Sequence, residues 1–304
     1  MINGMARAPL AQELFAAQQR LVEGAAAARP GLTAELARLV GRVGDRLARP
    51  PRIVLLGEFN SGKSTLANAL IGAQVLPTSI HANTRVPLLI HYADAPTLTY
   101  EAHDRERRPL SLSAIEDLRQ GSIRMLRVGL PVARLKSFEL IDTPGLASGS
   151  ARVDELGLEA CRRSHIAVWC TVASQAWKAS EQRVWNDLPK RLQQRGILAV
   201  THKDAIRSER DCQRLMARLD AETATHFGGI AMVAANTALT AGGVEGDAIS
   251  AWATNGGREL EHLLRTSIET ELSSRQTAAE RLLQRTIERL LTPASRPVGS
   301  LLAT

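Results

Sequence analysis

The segment Gly57-Glu58-Phe59-Asn60-Ser61-Gly62-Lys63-Ser64-Thr65 constrains this chain more than any other. It follows a short apolar run, Arg52 to Leu56, that reads as a buried strand, and it runs into Ser64 to Leu70, which reads as a helix. A strand that turns through glycines into a helix aims backbone N–H groups and the positive helix end at one point. That arrangement suits nucleotide phosphates, and Gly57 and Gly62 let the backbone close around them. Lys63 is then placed to bridge β- and γ-phosphates, and the Ser64 hydroxyl to bind Mg2+. Glu58, Phe59, Asn60, Ser61 and Thr65 complete the nucleotide-binding loop.

Four further segments fit the same chemistry. Asp142-Thr143-Pro144-Gly145 follows an apolar strand signal at 137–141. An Asp at a strand end can hold Mg2+ through water, and Gly145 can offer its N–H to a γ-phosphate. Thr201-His202-Lys203-Asp204 follows a second strand signal at 196–200. A carboxylate at Asp204 can accept from the ring N–H and amino group of guanine, a donor pair that adenine lacks. Ala235 and Asn236, beyond the strand signal at 230–234, join the nucleotide-binding set. Thr84 is the candidate switch threonine, a second ligand for Mg2+ that would also reach the attacking water; Thr78 competes for that role.

Strand signals at 86–91, 97–101, 123–128 and 166–172 join those above, with helical patterns at 154–163, 179–194 (interrupted near Pro189) and 208–226. Such alternation predicts an α/β fold, a three-layer α/β/α domain on a mostly parallel sheet. Apolar residues at helical spacing, Leu10 to Leu21 and Leu36 to Leu47, precede Pro50-Pro51. At the other end, 258–291 carries one long helical pattern after a Gly-rich stretch. The expected division is N-terminal helices at 1–50, the α/β domain at 51–241, a Gly-rich hinge at 242–257, a C-terminal helix at 258–291 and a flexible tail at 292–304, with the end helices packing together as a small neck.

At 304 residues the chain can bury a full core. Its longest apolar run, Ile166 to Ala173, is shorter than the ~18 residues of a membrane span. With no basic head and apolar stretch at the N-terminus, a cytoplasmic location is expected. Cys161, Cys170 and Cys212 lack metal-binding spacing and read as buried free thiols. The net charge of +7, with 33 Arg and only five Lys, favours anionic partners unless it reflects genome composition.

Taken together, GEFNSGKSTLANALIG (57–72), LPTSIHANT (76–84) and IDTPGL (141–146) resemble the GTPase domain of bacterial dynamin-like proteins, and SQAWKASE (174–181) fits the same family. The likeness runs over about 53–235. It implies a P-loop GTPase with GTP and GDP as its ligands that binds GTP weakly with fast exchange, hydrolyses it, pairs as a homodimer across the nucleotide face and swings a helical neck. Lys63, Thr84 and Asn60 are the catalytic candidates. An Asn at position 60 is what potassium-dependent GTPases use to hold a monovalent cation, so K+ or Na+ there is an expectation. Two departures stand out. His202 replaces the usual Lys over the base, and Leu146 replaces the Gln that orients water in small GTPases. Only about seventy residues follow Ala235, enough for one helix of roughly 50 Å. This is short of a long stalk and lipid-binding tip, so a compact relative, a partner of a larger dynamin-like protein and a cut-down piece all remain open.

Three functions compete: a dimerising GTP-hydrolysing mechano-switch, a low-turnover GTP-gated interaction module, and an RNA- or ribosome-associated GTPase. No RNA-binding module and few aromatics for stacking weigh against nucleic acid. Arg281, Arg285 and Arg289 fall on one helical face, where peripheral contact with an anionic membrane competes with plain solvation.

Overall fold

A computed structural model describes residues 30–72, 86–111, 123–146, 151–236 and 250–291. It divides into two compact units, one holding the described residues 50–270 and the other 30–49 with 271–291. The helix at Leu10 to Leu21, the hinge residues 242–249 and the tail 292–304 lie outside the described residues.

The larger unit is an α/β fold on one sheet. Its strands are β1 (Arg52–Leu56), β2 (Leu88–Tyr92), β3 (Thr97–Ala102), β4 (Arg107–Pro109), β5 (Ile123–Leu130), β6 (Glu139–Asp142), β7 (Ile166–Val172), β8 (Ile197–Thr201) and β9 (Gly229–Met232). They lie in the order β4-β3-β5-β2-β6-β1-β7-β8-β9. From β6 to β9 every pair is parallel, and β2 also runs parallel to β5. β2 is antiparallel to β6, and β3 is antiparallel to β5 and β4. The parallel half explains the unbroken apolar runs: β1, β7 and β8 are covered on both faces, and Ile53 through Leu56 are fully buried. Crossovers between parallel strands bring the C-terminal ends of β1, β7 and β8 to one edge, where ligands bind in open α/β sheets.

The helices of this unit are α2 (Lys63–Ile71), α3 (Ala151–Arg162), α4 (Ala179–Asn186), α5 (Lys190–Gln193) and α6 (Glu209–Thr223). The helical pattern at 179–194 is split in two. Leu188 buries its side chain and Pro189, which lacks an N–H, starts the second piece. Against this region sits an aromatic cluster. Trp169 meets Trp177 and Trp185 edge-on, with ring centroids 6.3 and 5.9 Å apart, and Phe227 lies 4.3 Å from Trp185. The three cysteines are buried free thiols, and burial pushes Cys161 and Cys170 up to about 12.

The helix α7 (Arg258–Leu291) follows a wide turn at Ala253–Gly257, where Gly256 takes φ +88°. A β-carbon at Gly256 would lie 1.8 Å from the Met232 carbonyl oxygen, so the turn requires glycine. Glu261 of α7 accepts from Trp252 Nε1 at 3.0 Å and from Arg134 at 3.2 Å, anchoring the first part of this helix to the α/β unit.

In the smaller unit, α1 (Pro30–Ala48) packs Val40 and Val43 against Ala279 and Leu283 of α7. Arg275 Nη1 donates to the Arg49 carbonyl at 3.0 Å. Proline at the first helical position explains why α1 begins at Pro30. Among the described residues no helix is long and apolar enough to cross a membrane.

Candidate functional site

The Gly-rich loop leaves β1 at Gly57 and enters α2 at Lys63. Three of its residues take positive φ: Gly57 at +142°, Asn60 at +59° and Gly62 at +80°. A β-carbon at Gly57 would strike the Cys170 carbonyl oxygen at 2.2 Å, so only glycine lets the loop pass β7. Asn tolerates the left-handed conformation better than most side chains, which explains its presence at position 60 without any ligand.

Lys63 curls back over this loop. Its Nζ donates to the carbonyl oxygens of Glu58 at 2.6 Å and Gly57 at 3.2 Å, and to Ser61 Oγ at 3.4 Å. The residue is 7% exposed. Burial pushes its ammonium below the usual lysine range, against the opposing pull of Cys170, Asp142 and Glu58. One residue on, Ser64 Oγ donates to Asp142 Oδ2 at 2.7 Å. Hydroxyl and carboxylate oxygens are the hard donors that Mg2+ takes, and few protein ligands suffice because the ion keeps waters. This pair fits such an ion.

The loop after β6 closes on the same place. Thr143 Oγ1 donates to the Leu55 carbonyl at 2.6 Å, and Leu146 N to that of Gly57 at 3.2 Å. A β-carbon on Gly145 would meet Phe59 N at 2.7 Å, so this glycine lies flat on the loop backbone. Leu146 turns into the core beside Gly157 and is 4% exposed. Phe59, by contrast, is 80% exposed.

The loop after β8 arrives from the other side. Thr201 Oγ1 donates to the Ser61 carbonyl at 2.9 Å and lies 3.1 Å from that of Thr171. His202 takes φ +57°, with its ring against Gly62 and its Nδ1 3.0 Å from Thr201 Oγ1. Lys203 N donates to the Val233 carbonyl at 3.2 Å, which joins this loop to the end of β9. His202, Asp204 and Asn236 are exposed; Ala235 is buried. Thr84 and Thr78 lie outside the described residues.

The segment between β7 and α4 also reaches the loop, a role the sequence reading did not assign. Lys178 Nζ lies 2.6 Å from Glu58 Oε2, and Ser180 Oγ donates to Glu58 Oε1 at 2.8 Å. Behind them Glu181, 2% exposed, accepts from Lys178 N and Thr171 Oγ1, both at 2.9 Å, and from Trp169 Nε1 at 3.2 Å. Glu three residues after the cap position is the available sequence signal, since it returns to the cap N–H. Its burial under β7 was not legible.

A family model for the dynamin family matches residues 53–204, half of the chain. The chain belongs to the dynamin family. Among relatives, this dynamin-family chain is 27% identical to Dynamin-like protein 2 of Campylobacter jejuni over 52% of its own length and 26% of that protein. It is 31% identical to isoniazid-induced protein IniC of Mycobacterium tuberculosis over 35% of its length and 23% of that protein. The chain therefore spans about a quarter of the curated relatives it matches. A solved structure of an oligomerised bacterial dynamin pair superposes with TM-score 0.66 at 16% identity, covering 95% of this chain and 56% of the other, which shows a common fold.

Proposed function

We propose that this chain binds GTP with Mg2+ and hydrolyses it to GDP and phosphate, as the GTPase domain of a dynamin-like protein. One observation carries the reading: loops from the ends of β1, β6 and β8 interlock around the buried Lys63 ammonium, with the Ser64–Asp142 pair beside it. Family membership supports the choice of nucleotide.

In this reading the loop amides of 58–65 and Lys63 hold the β- and γ-phosphates, Gly145 meets the γ-phosphate, and Ser64 and Asp142 hold the ion with Thr84. Lys63 exchanges its carbonyl acceptors for phosphate oxygens without leaving the loop. Bound Mg2+ supplies neutralisation of charge on the β- and γ-oxygens. Thr201, His202, Lys203 and Asp204 with Ala235 and Asn236 form the base side, where Asp204 selects guanine and the His202 ring takes the usual place of a Lys stem. Asn60 takes K+ or Na+ as an added positive charge. The nucleotide face pairs with a second copy, and helices of 1–50 and 258–291 form a neck that moves with the nucleotide state, at an anionic membrane surface or with a larger dynamin-like partner.

Turnover of GTP against ATP, measured across protein concentration in potassium, sodium and choline salts, tests this reading. GTP turnover should exceed ATP turnover, rise per molecule with concentration, and vanish in Lys63→Ala. A protein that ignores GTP, or prefers ATP, would overturn the assignment. Equal rates in all three salts would remove the cation at Asn60.

A second reading, a GTP-gated binding module with slow turnover, draws on Leu146. That side chain is buried where a water-orienting Gln would otherwise stand. Tight GTP-dependent partner capture with negligible hydrolysis at any concentration would favour it.

A further inference from the structure

We infer that Lys178 is a positioning residue of the phosphate site: it holds and neutralises the Glu58 carboxylate, a negative charge that the loop itself places beside the bound phosphates. This rests on the GTP-binding reading above.

A carboxylate is an unexpected neighbour for a triphosphate. Glu58 is the second residue of the loop, and its own carbonyl oxygen lies 2.6 Å from Lys63 Nζ. Its side chain therefore springs from the backbone that would cradle the anion, where a carboxylate and a phosphate of like charge would repel. The structure turns it aside. Lys178, 120 positions later, donates to Oε2 at 2.6 Å, and Ser180 to Oε1 at 2.8 Å. Glu58 thus sits between two ammonium groups, one on its carbonyl and one on its carboxylate.

Lys178 does not arrive by chance. The preceding Trp177 is held at φ +61° with its ring 4.9 Å from that of Phe227, and its N–H donates to Thr171 Oγ1 at 3.1 Å. The buried Glu181 then fixes the Lys178 N–H at 2.9 Å. A strained residue and a buried carboxylate both spend stability to define where this lysine starts. The pairing acts on both partners: its hydrogen bond lowers Glu58 below the usual carboxylate range and raises Lys178 above the usual lysine range. Both side chains remain partly exposed, at 31% and 40%, so the pair contributes little to folding. Its effect falls on an anion bound beside it.

Two roles give opposite mutational patterns. If Lys178 neutralises Glu58, removing the lysine harms binding only while the carboxylate remains. If the pair is a mechanical tether, removing either partner harms binding alike. The test is a double-mutant cycle of Lys178→Met, Glu58→Gln and both, with Lys178→Arg as the conservative control. Affinity is read with a fluorescent non-hydrolysable GTP analogue and with fluorescent GDP. Neutralisation predicts that Lys178→Met weakens the GTP analogue about tenfold and GDP less, the loss shrinking in about 0.5 M salt. Glu58→Gln should tighten analogue binding, the double variant should return to within about threefold of wild type, and Lys178→Arg should bind like wild type. The inference is overturned if Lys178→Met binds normally, or if Glu58→Gln and the double variant are as weak as Lys178→Met. A wild-type protein that binds no GTP analogue would instead overturn the function proposed above.

Discussion

The hydroxyl of Ser64 donates to Oδ2 of Asp142 across 2.7 Å, joining the first turn of α2 to the end of β6. Two segments 78 residues apart thereby present a hydroxyl and a carboxylate to one point. A divalent ion bound there would draw on both.

Ser64→Ala should therefore lose the ion-dependent part of nucleotide affinity. With Mg2+ present, binding of a GTP analogue should fall on the order of tenfold or more, as when support for a metal is removed. With Mg2+ chelated, variant and wild type should bind alike. A variant that keeps the full Mg2+ response would remove Ser64 from the ion site.

Lys63 gives a prediction in pH. Burial lowers its pKa, so the ammonium loses its proton before an ordinary lysine would. Affinity for the GTP analogue should fall on the alkaline side, below the ordinary lysine value of about 10.4. Stability should move the opposite way: a depressed base costs stability while protonated, and that cost is relieved as pH rises through its folded-state pKa. Titrations of affinity and of melting temperature over the same pH series check both signs. Affinity that stays flat up to the ordinary lysine range would refute this account.

Glu181 is a candidate for a large structural effect. Glu181→Ala removes the acceptor for Trp169 Nε1, Thr171 Oγ1 and Lys178 N together. Buried donors left unsatisfied cost about 3 kcal/mol in sum, or near 10 °C of melting temperature for a unit of this size. Tryptophan fluorescence should shift as well, because Trp169 loses its partner. Melting within about 1 °C of wild type would show that other acceptors take over.

Two arginines, Arg127 buried and Arg163 half-buried, should respond in opposite directions. Arg163 grips Glu101 with both terminal nitrogens, at 2.9 and 2.7 Å, and Glu159 at 2.9 Å. Burial alone would raise Glu101, but the Arg163 bonds and nearby arginines hold it below the usual range. Arg163→Ala strands that carboxylate and should cost about 3 kcal/mol. Arg127 is 9% exposed, and burial, with Arg107 beside it, pushes its guanidinium down to about 10. Arg127→Met keeps the volume and removes a costly charge, so stability should hold or rise. Chemical denaturation of both variants decides; a large loss in Arg127→Met would show that its charge is needed.

The parallel half of the sheet was legible because its strands are short apolar runs that punctuate helical patterns, and the loops carrying Lys63, Asp142 and Asp204 follow from strand ends. The antiparallel edge was harder to read. β4 is three exposed residues, Arg107–Pro109, whose place depends on β3 rather than on any apolar signal. Of the two crossings between the compact units among the described residues, the one at 49/50 is marked by Pro50-Pro51, but the one at 270/271 falls inside a continuous helix, where no glycine or proline marks it. The Glu58–Lys178 pair was invisible for another reason. Glu58 reads as one more residue of the nucleotide-binding loop and Lys178 as an ordinary surface charge until the turn at Trp177 brings them together.

Lys63 donates its protons to two carbonyl oxygens of its own loop. These bonds hold the loop in the shape seen here. In the binding mode proposed above, an arriving triphosphate would replace acceptors already in use, so its reward would be the difference between two similar sets of bonds. Under the GTP-binding reading proposed above, a seat built this way is expected to exchange its occupant readily, as a turnstile rather than a vault.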